Sequence, residues 1–142
     1  MRKHQMNVLC VEQDRTRIRQ LKRDARDLVP GAHNTICRDP CKAEIVARAK
    51  GCDVLLTDTV FDGLSLDGVM LAEQIQHVNP HVNIIFITDH ADTSAAYGAW
   101  ELGASAFLQR PYEKQRLARA LADLRLASVH NQMNDTAICG AK

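Results

Sequence analysis

Val54-Leu55-Leu56-Thr57-Asp58 is the stretch on which the fold turns. A run of apolar and β-branched residues ends abruptly in a carboxylate. Such a run suits a strand covered on both faces, as in a parallel sheet with helices on each side. The pattern recurs along the chain. Val8-Leu9-Cys10-Val11 runs into Glu12-Gln13-Asp14, Ile84-Ile85-Phe86-Ile87 into Thr88-Asp89, and Ala106-Phe107-Leu108 into Gln109-Arg110-Pro111. In an open parallel sheet the carboxyl ends of the strands lie along one edge, where ligands bind. The sequence therefore directs acids, a hydroxyl and a guanidinium to one place.

Working outward, strands and helices alternate five times. Strand one spans about Asn7 to Val11. Helix one follows Asp14 as N-cap, with Ile18, Leu21, Ala25 and Leu28 at helical spacing, and Pro30-Gly31 stops it. A short strand two, His33 to Cys37, precedes Asp39-Pro40, an N-cap followed by proline at the first helical position. Helix two carries Ile45, Val46 and Ala49 and ends at Gly51. Strand three is Asp53 to Thr57, and the loop Thr59 to Leu66 leads to helix three, Asp67 to Val78, with Val69, Ala72, Ile75 and Val78 inward. Strand four covers Val82 to Thr88 and helix four Thr93 to Leu102. Strand five is Ser105 to Leu108. Helix five runs from Tyr112 to Ala127 with Leu117, Leu121 and Leu124 inward. This alternation predicts βαβ units in a doubly wound α/β fold. One domain is expected over residues 1–127. Residues 128–142 lack a stripe and read as a flexible tail or the start of a linker.

Bulk properties exclude several classes. The chain has 142 residues, 46% of them hydrophobic and 25% charged, which is globular rather than disordered. A net charge of +1 gives no electrostatic case for nucleic acid or an anionic membrane. No segment approaches the roughly 20 apolar residues of a membrane helix, and the polar start does not resemble a signal peptide, so a cytoplasmic location is expected. Five cysteines, an odd number, argue against a disulfide framework. Cys37 and Cys41 lack the further ligands a zinc site needs. Glu12-Gln13-Asp14-Arg15 has no glycine, which speaks against a flavin or nucleotide phosphate loop. No Ser-His-Asp set marks a stand-alone hydrolase, so the chain is not expected to be an enzyme.

Taken together, V-L-C-V-E-Q-D-R at 8–15, V-L-L-T-D at 54–58, D-G at 67–68, I-I-F-I-T-D-H at 84–90 and F-L-Q-R-P-Y at 107–112 resemble the receiver domains of two-component response regulators. The resemblance covers about Asn7 to Ala127. It implies a flavodoxin-like five-stranded parallel sheet with five helices and strand order 2-1-3-4-5. It also implies a phosphoacceptor that takes a phosphoryl group from a sensor histidine kinase or phosphotransfer protein. By position, Asp58 is the acceptor, Thr88 the hydroxyl and Arg110 the cation that contact the phosphoryl group. Glu12, weakly Gln13, Asp58 and the Val60 backbone carbonyl would bind Mg²⁺. Phe107 stands where the family places a switch aromatic, paired in function with Thr88. Asp89 and His90 would modulate the site. The implied output passes through the helix-four, strand-five, helix-five face, holding Tyr97, Trp100, Arg116 and Arg119. It would act on a downstream protein or a C-terminal output domain, with a homodimer through the same face as a further expectation. The basic side of helix one (Arg15, Arg17, Arg19, Lys22, Arg23) is either a solvated face or a kinase-docking one.

Three departures from the family pattern matter. Gln13 replaces an acid, removing gross attraction for a metal on the order of 4 kcal/mol at about 4 Å and an effective dielectric of about 20. Arg110 replaces lysine, a planar fork in place of a point charge. Asp89 stands where a small residue is usual, so one negative charge has moved from the first strand end to the fourth. Asp89 or Asp58 is expected to pair with Arg110 at rest. The alternative to a phosphoacceptor is a pseudo-receiver, an interaction module independent of phosphorylation.

Overall fold

The apolar runs form strands as expected, each ending where the first polar side chain needs water or a partner. The computed structural model describes residues 5–64, 66–89 and 93–123. Its elements are β1 (Asn7–Val11), α1 (Arg15–Leu28), β2 (His33–Cys37), α2 (Pro40–Lys50), β3 (Val54–Thr57), α3 (Gly68–Val78), β4 (Asn83–Thr88), α4 (Thr93–Glu101) and β5 (Ala106–Gln109). A last helix, α5, covers 114–123 of the described residues. The predicted tail and Leu124 lie outside them.

All strand pairs are parallel, in the order β2-β1-β3-β4-β5. Alternation along the strands divides the core in two. Leu9, Val11, Leu55, Ile84 and Phe86 face Ala43 and Ala47 of α2, Leu71, Ala72 and Ile75 of α3 and Ala99 of α4. Val8, Cys10, Val54, Leu56, Ile85 and Ile87 face Leu21 and Ala25 of α1 with Leu117 and Leu121 of α5. Among the described residues no helix is long and apolar enough to cross a membrane.

Side-chain caps set the helix starts. Asp14 accepts from the Arg17 amide, Asp39 from Cys41 and Asp67 from Met70. The Arg17 amide also holds the Asp14 carboxyl below its usual range. The expected stripe of α2 is corrected. Ile45 is 66% exposed and Ala49 is exposed, while Ala43 and Ala47 are fully buried beside half-buried Val46. The helix lies close on the sheet, so small residues take the inner face and the larger Ile45 is turned out.

One glycine positions the site. The Gly68 amide donates to the Thr59 carbonyl at 2.9 Å, pressing the start of α3 against the end of β3. A Cβ on Gly68 would lie 1.7 Å from the Asp58 carbonyl oxygen. Gly68→Ala should therefore cost about 1–3 kcal/mol in urea unfolding, whereas Ile45→Ser should stay within about 0.5 kcal/mol of wild type.

Burial also gives the core thiols a pH signature. It pushes Cys10 and Cys52 up from 9.0 to about 12. The folded state therefore holds protons that the unfolded chain releases. The thiol contribution is complete below pH 9.0 and is lost as pH rises toward about 12. Stability should fall above pH 9.0 by up to about 1.4 kcal/mol per pH unit per thiol, and Cys10→Ala should flatten that slope in denaturation curves collected across the range.

Candidate functional site at the carboxyl edge of the sheet

Residues at four of the five strand ends converge at the carboxyl edge. Glu12 follows β1, Asp58 and Thr59 follow β3, Thr88 closes β4 and Arg110 follows β5. Glu12, Asp58, Thr59 and Thr88 are all buried. Buried carboxylates demand partners, and each oxygen here has one. Arg110 Nη2 donates to Glu12 Oε1 at 2.5 Å and Nη1 to Asp58 Oδ2 at 3.0 Å, so one guanidinium bridges both acids. Glu12 Oε2 accepts from the Gln13 amide at 2.7 Å, and Asp58 Oδ1 from the Thr59 amide at 2.6 Å. The three charged side chains are only 3%, 10% and 11% exposed for Glu12, Asp58 and Arg110. The expected pairing of Arg110 with Asp58 is present, and Glu12 joins it.

The bridging residue is itself held from two sides. The Arg110 amide donates to the Thr88 carbonyl at 2.7 Å. Two residues on, beyond the cis Arg110–Pro111 peptide, the Tyr112 hydroxyl donates to buried Asp24 of α1 at 2.8 Å. Burial, then the Asp24 contact, raises the Tyr112 pKa. Thr88 and Thr59 share a hydrogen bond between their hydroxyls at 2.9 Å, joining the ends of β3 and β4.

Gln13 and Asp89 take roles that spacing alone did not show. Gln13 Oε1 accepts from the Asp62 amide at 2.7 Å, while its Nε2 donates to the Asp62 carbonyl at 3.1 Å. Arg38, after β2, donates from Nε and Nη2 to the Gln13 carbonyl at 3.1 and 3.0 Å. Gln13 is thus a strut between the β1 and β3 loops. Asp89 forms its ion pair with Arg17 of α1, so of the two acids expected to pair with Arg110 it is Asp58 that does. Side chains tilt toward the start of a helix, so the position of Arg17 in the first turn of α1 already pointed to this edge. Arg17 and Asp89 line a 240 Å³ pocket with Glu12, Gln13, Asp14, Asp58, Val60 and Asp62. A wider depression of 400 Å³ reaches Arg110 from the α5 side but has no strand-end acid in its lining.

The other predicted site residues are placed as follows. Phe107 is half-buried on β5, its ring 6.3 Å from that of Phe86. Val60 lies at the pocket mouth, 46% exposed. His90 lies outside the described residues. Among the described residues no three His, Cys, Asp or Glu side chains converge as a metal cage. As arranged, the donors do not fit Mg²⁺, which takes a near-octahedral set of oxygens. The two acids share a guanidinium, and the Gln13 oxygen faces an amide hydrogen.

Removing one partner from a buried ion pair leaves an uncompensated charge, so Arg110→Ala should cost about 3–5 kcal/mol in chemical denaturation. Arg17→Ala breaks a pair whose members are 37% and 35% exposed, and should cost about 0–1 kcal/mol.

Comparison with known proteins agrees with this geometry. The model of the response regulator receiver domain matches residues 8–122. The nitrogen assimilation regulatory protein NtrX of Azorhizobium caulinodans is 34% identical over 92 residues, 62% of this chain and 20% of that protein. The response regulator protein FleR of Pseudomonas aeruginosa is 30% identical over 118 residues, 82% of this chain and 23% of that protein. This chain thus spans about a fifth of the length of these curated relatives. A solved CheY-like receiver domain protein from Methanospirillum hungatei superposes with a TM-score of 0.78 at 16% identity, covering 89% of this chain and 99% of that one, and shares the fold. With a family match over most of its length and acids, hydroxyls and a cation gathered at one sheet edge, the chain belongs to the response regulator receiver domains of two-component systems.

Proposed function

We propose that the chain is a phosphoacceptor switch that takes a phosphoryl group on Asp58. The observation that carries this reading is the position of the Asp58 carboxylate. It ends β3 beside the 240 Å³ pocket, with the Arg110 guanidinium 3.0 Å from Oδ2. In the transfer, an Asp58 oxygen attacks phosphorus, forming a P–O bond as the P–N bond to a histidine donor breaks. The electron pair of the broken bond stays on the histidine nitrogen, which takes a proton from solvent as the neutral imidazole leaves. Two anions must approach, and a fixed cation beside the nucleophile lessens their repulsion. A phosphoryl group on Oδ2 would compete for Arg110, and the linked Thr59 and Thr88 hydroxyls lie at the ends of β3 and β4. The disturbance would reach α4, the helix that follows β4 in the chain.

On this reading the donor is a sensor histidine kinase or phosphotransfer protein, meeting the chain beside the basic α1 face. The output surface is α4-β5-α5, where Tyr97 is 63% and Trp100 82% exposed. That surface would serve a downstream protein, an output domain or a second copy of the chain. The cytoplasm, where such kinases present their phosphohistidine, is the proposed location. A second reading, a phosphorylation-independent interaction module, is favoured by the clamp itself, because both Asp58 oxygens already have partners.

Incubation with acetyl phosphate or phosphoramidate, with and without Mg²⁺, followed by mass spectrometry, separates the two. The switch reading predicts one added phosphoryl group that Asp58→Asn abolishes, together with a change in the emission of Trp100, the sole tryptophan. No phosphoryl addition under any donor condition would leave the interaction module as the function.

A further inference from the structure

The geometry points to Arg110 as a built-in counter-cation: its guanidinium occupies the space between Glu12 and Asp58, so the acid pair holds this side chain in place of a divalent metal. Three sets of contacts lead there. First, Arg110 gives a separate nitrogen to each acid, at 2.5 Å to Glu12 and 3.0 Å to Asp58, and all three side chains are at least nearly nine-tenths buried. A planar fork can span two carboxylates in this way, whereas an ammonium is a single point charge. Second, the outer oxygens of both acids are turned onto backbone amides, at 2.7 Å for Glu12 and 2.6 Å for Asp58. Third, Gln13 is locked in a two-bond grip on the Asp62 backbone, its oxygen accepting at 2.7 Å, and Arg38 fixes the Gln13 carbonyl from outside.

The charges favour the same arrangement. Glu12 and Asp58 carry two negative charges and Arg110 returns one positive charge. A divalent ion entering beside an undisplaced guanidinium would meet like charge at close range. For the ion to bind, Arg110 must leave both carboxylates, and the two must exchange places. Asp89 and Asp14 also face the pocket, with Arg17 opposite them paired to Asp89. These outer charges can attract a cation to the mouth without freeing an oxygen of the inner pair. Divalent-ion binding in this receiver is therefore set by the residue after β5, in competition with the acids it bridges.

Titration of the ¹⁵N-labelled full chain with MnCl₂, read by paramagnetic broadening of backbone amide signals, tests this directly. Wild type should show no saturable broadening at Gln13, Asp58 and Thr59 over concentrations that broaden these signals in Arg110→Ala, a gain in affinity of at least about tenfold for removing one adjacent charge. Arg110→Lys, which keeps the charge but cannot fork, should lie between the two and serves if the alanine variant does not fold. Saturable sub-millimolar binding by wild type overturns the assignment. So does equal affinity with and without Arg110, whether both chains bind or neither does. Metal binding is read apart from phosphorylation, so a chain that excludes manganese yet accepts phosphate, or the reverse, distinguishes this assignment from the proposed function.

Discussion

One guanidinium holding two buried carboxylates is the constraint around which the carboxyl edge is organised. Glu12 and Asp58 end adjacent strands, β1 and β3, whose register pairs Val11 with Thr57. The fold thus forces the two acids together before any ligand is considered. Two buried carboxylates at neighbouring strand ends repel each other and each demands a partner. Arg110 arrives from β5, two strands away from β3, and resolves the conflict with one nitrogen for each acid. Such a cluster adds little net stability over apolar packing, but it is unforgiving of losing one member. It therefore fixes geometry more than it adds stability.

The rest of the edge is cross-braced through the same residues. The Gln13–Asp62 grip ties the loop after β1 to the loop after β3, the Thr59–Thr88 hydroxyl pair ties β3 to β4, and the Arg110 amide ties β5 to β4. Tyr112 carries the chain of contacts to Asp24 inside α1. Gly68 allows α3 to begin in contact with the Asp58 backbone, which joins β3 directly to the helix that follows it. Asp58 is therefore one member of a connected set of polar contacts that spans four strand ends.

Most of the architecture could be read from the chain because it rests on local chemistry. Strand limits follow from the apolar runs, and Asp14, Asp39 and Asp67 cap α1, α2 and α3 because a carboxylate before a helix finds unpaired amides. The resemblance to the receiver family assigned Glu12, Asp58, Thr88 and Arg110 to one place, and they are found there. Other features depend on space and loop shape. Ile45 drew attention by its hydrophobicity, yet the close approach of α2 to the sheet selects Ala43 and Ala47, a matter of available space that periodicity does not encode. Gln13 reads as a weak metal ligand from its residue type, which says nothing of the loop it grips. Its actual partner, the Asp62 backbone, lies 49 residues away and depends on loop shape. Of the two acids expected beside Arg110, Asp58 takes that place, and Arg17 reaches Asp89 from α1.

The state of the acid pair in the presence of a divalent ion is the most direct measure of this account. A crystal of the chain soaked in MnCl₂ and measured with anomalous scattering would show it. The account predicts Arg110 nitrogens within hydrogen-bonding distance of both Glu12 and Asp58, with no anomalous peak between them. A manganese peak bridging the two carboxylates, with Arg110 turned away to solvent, would contradict it.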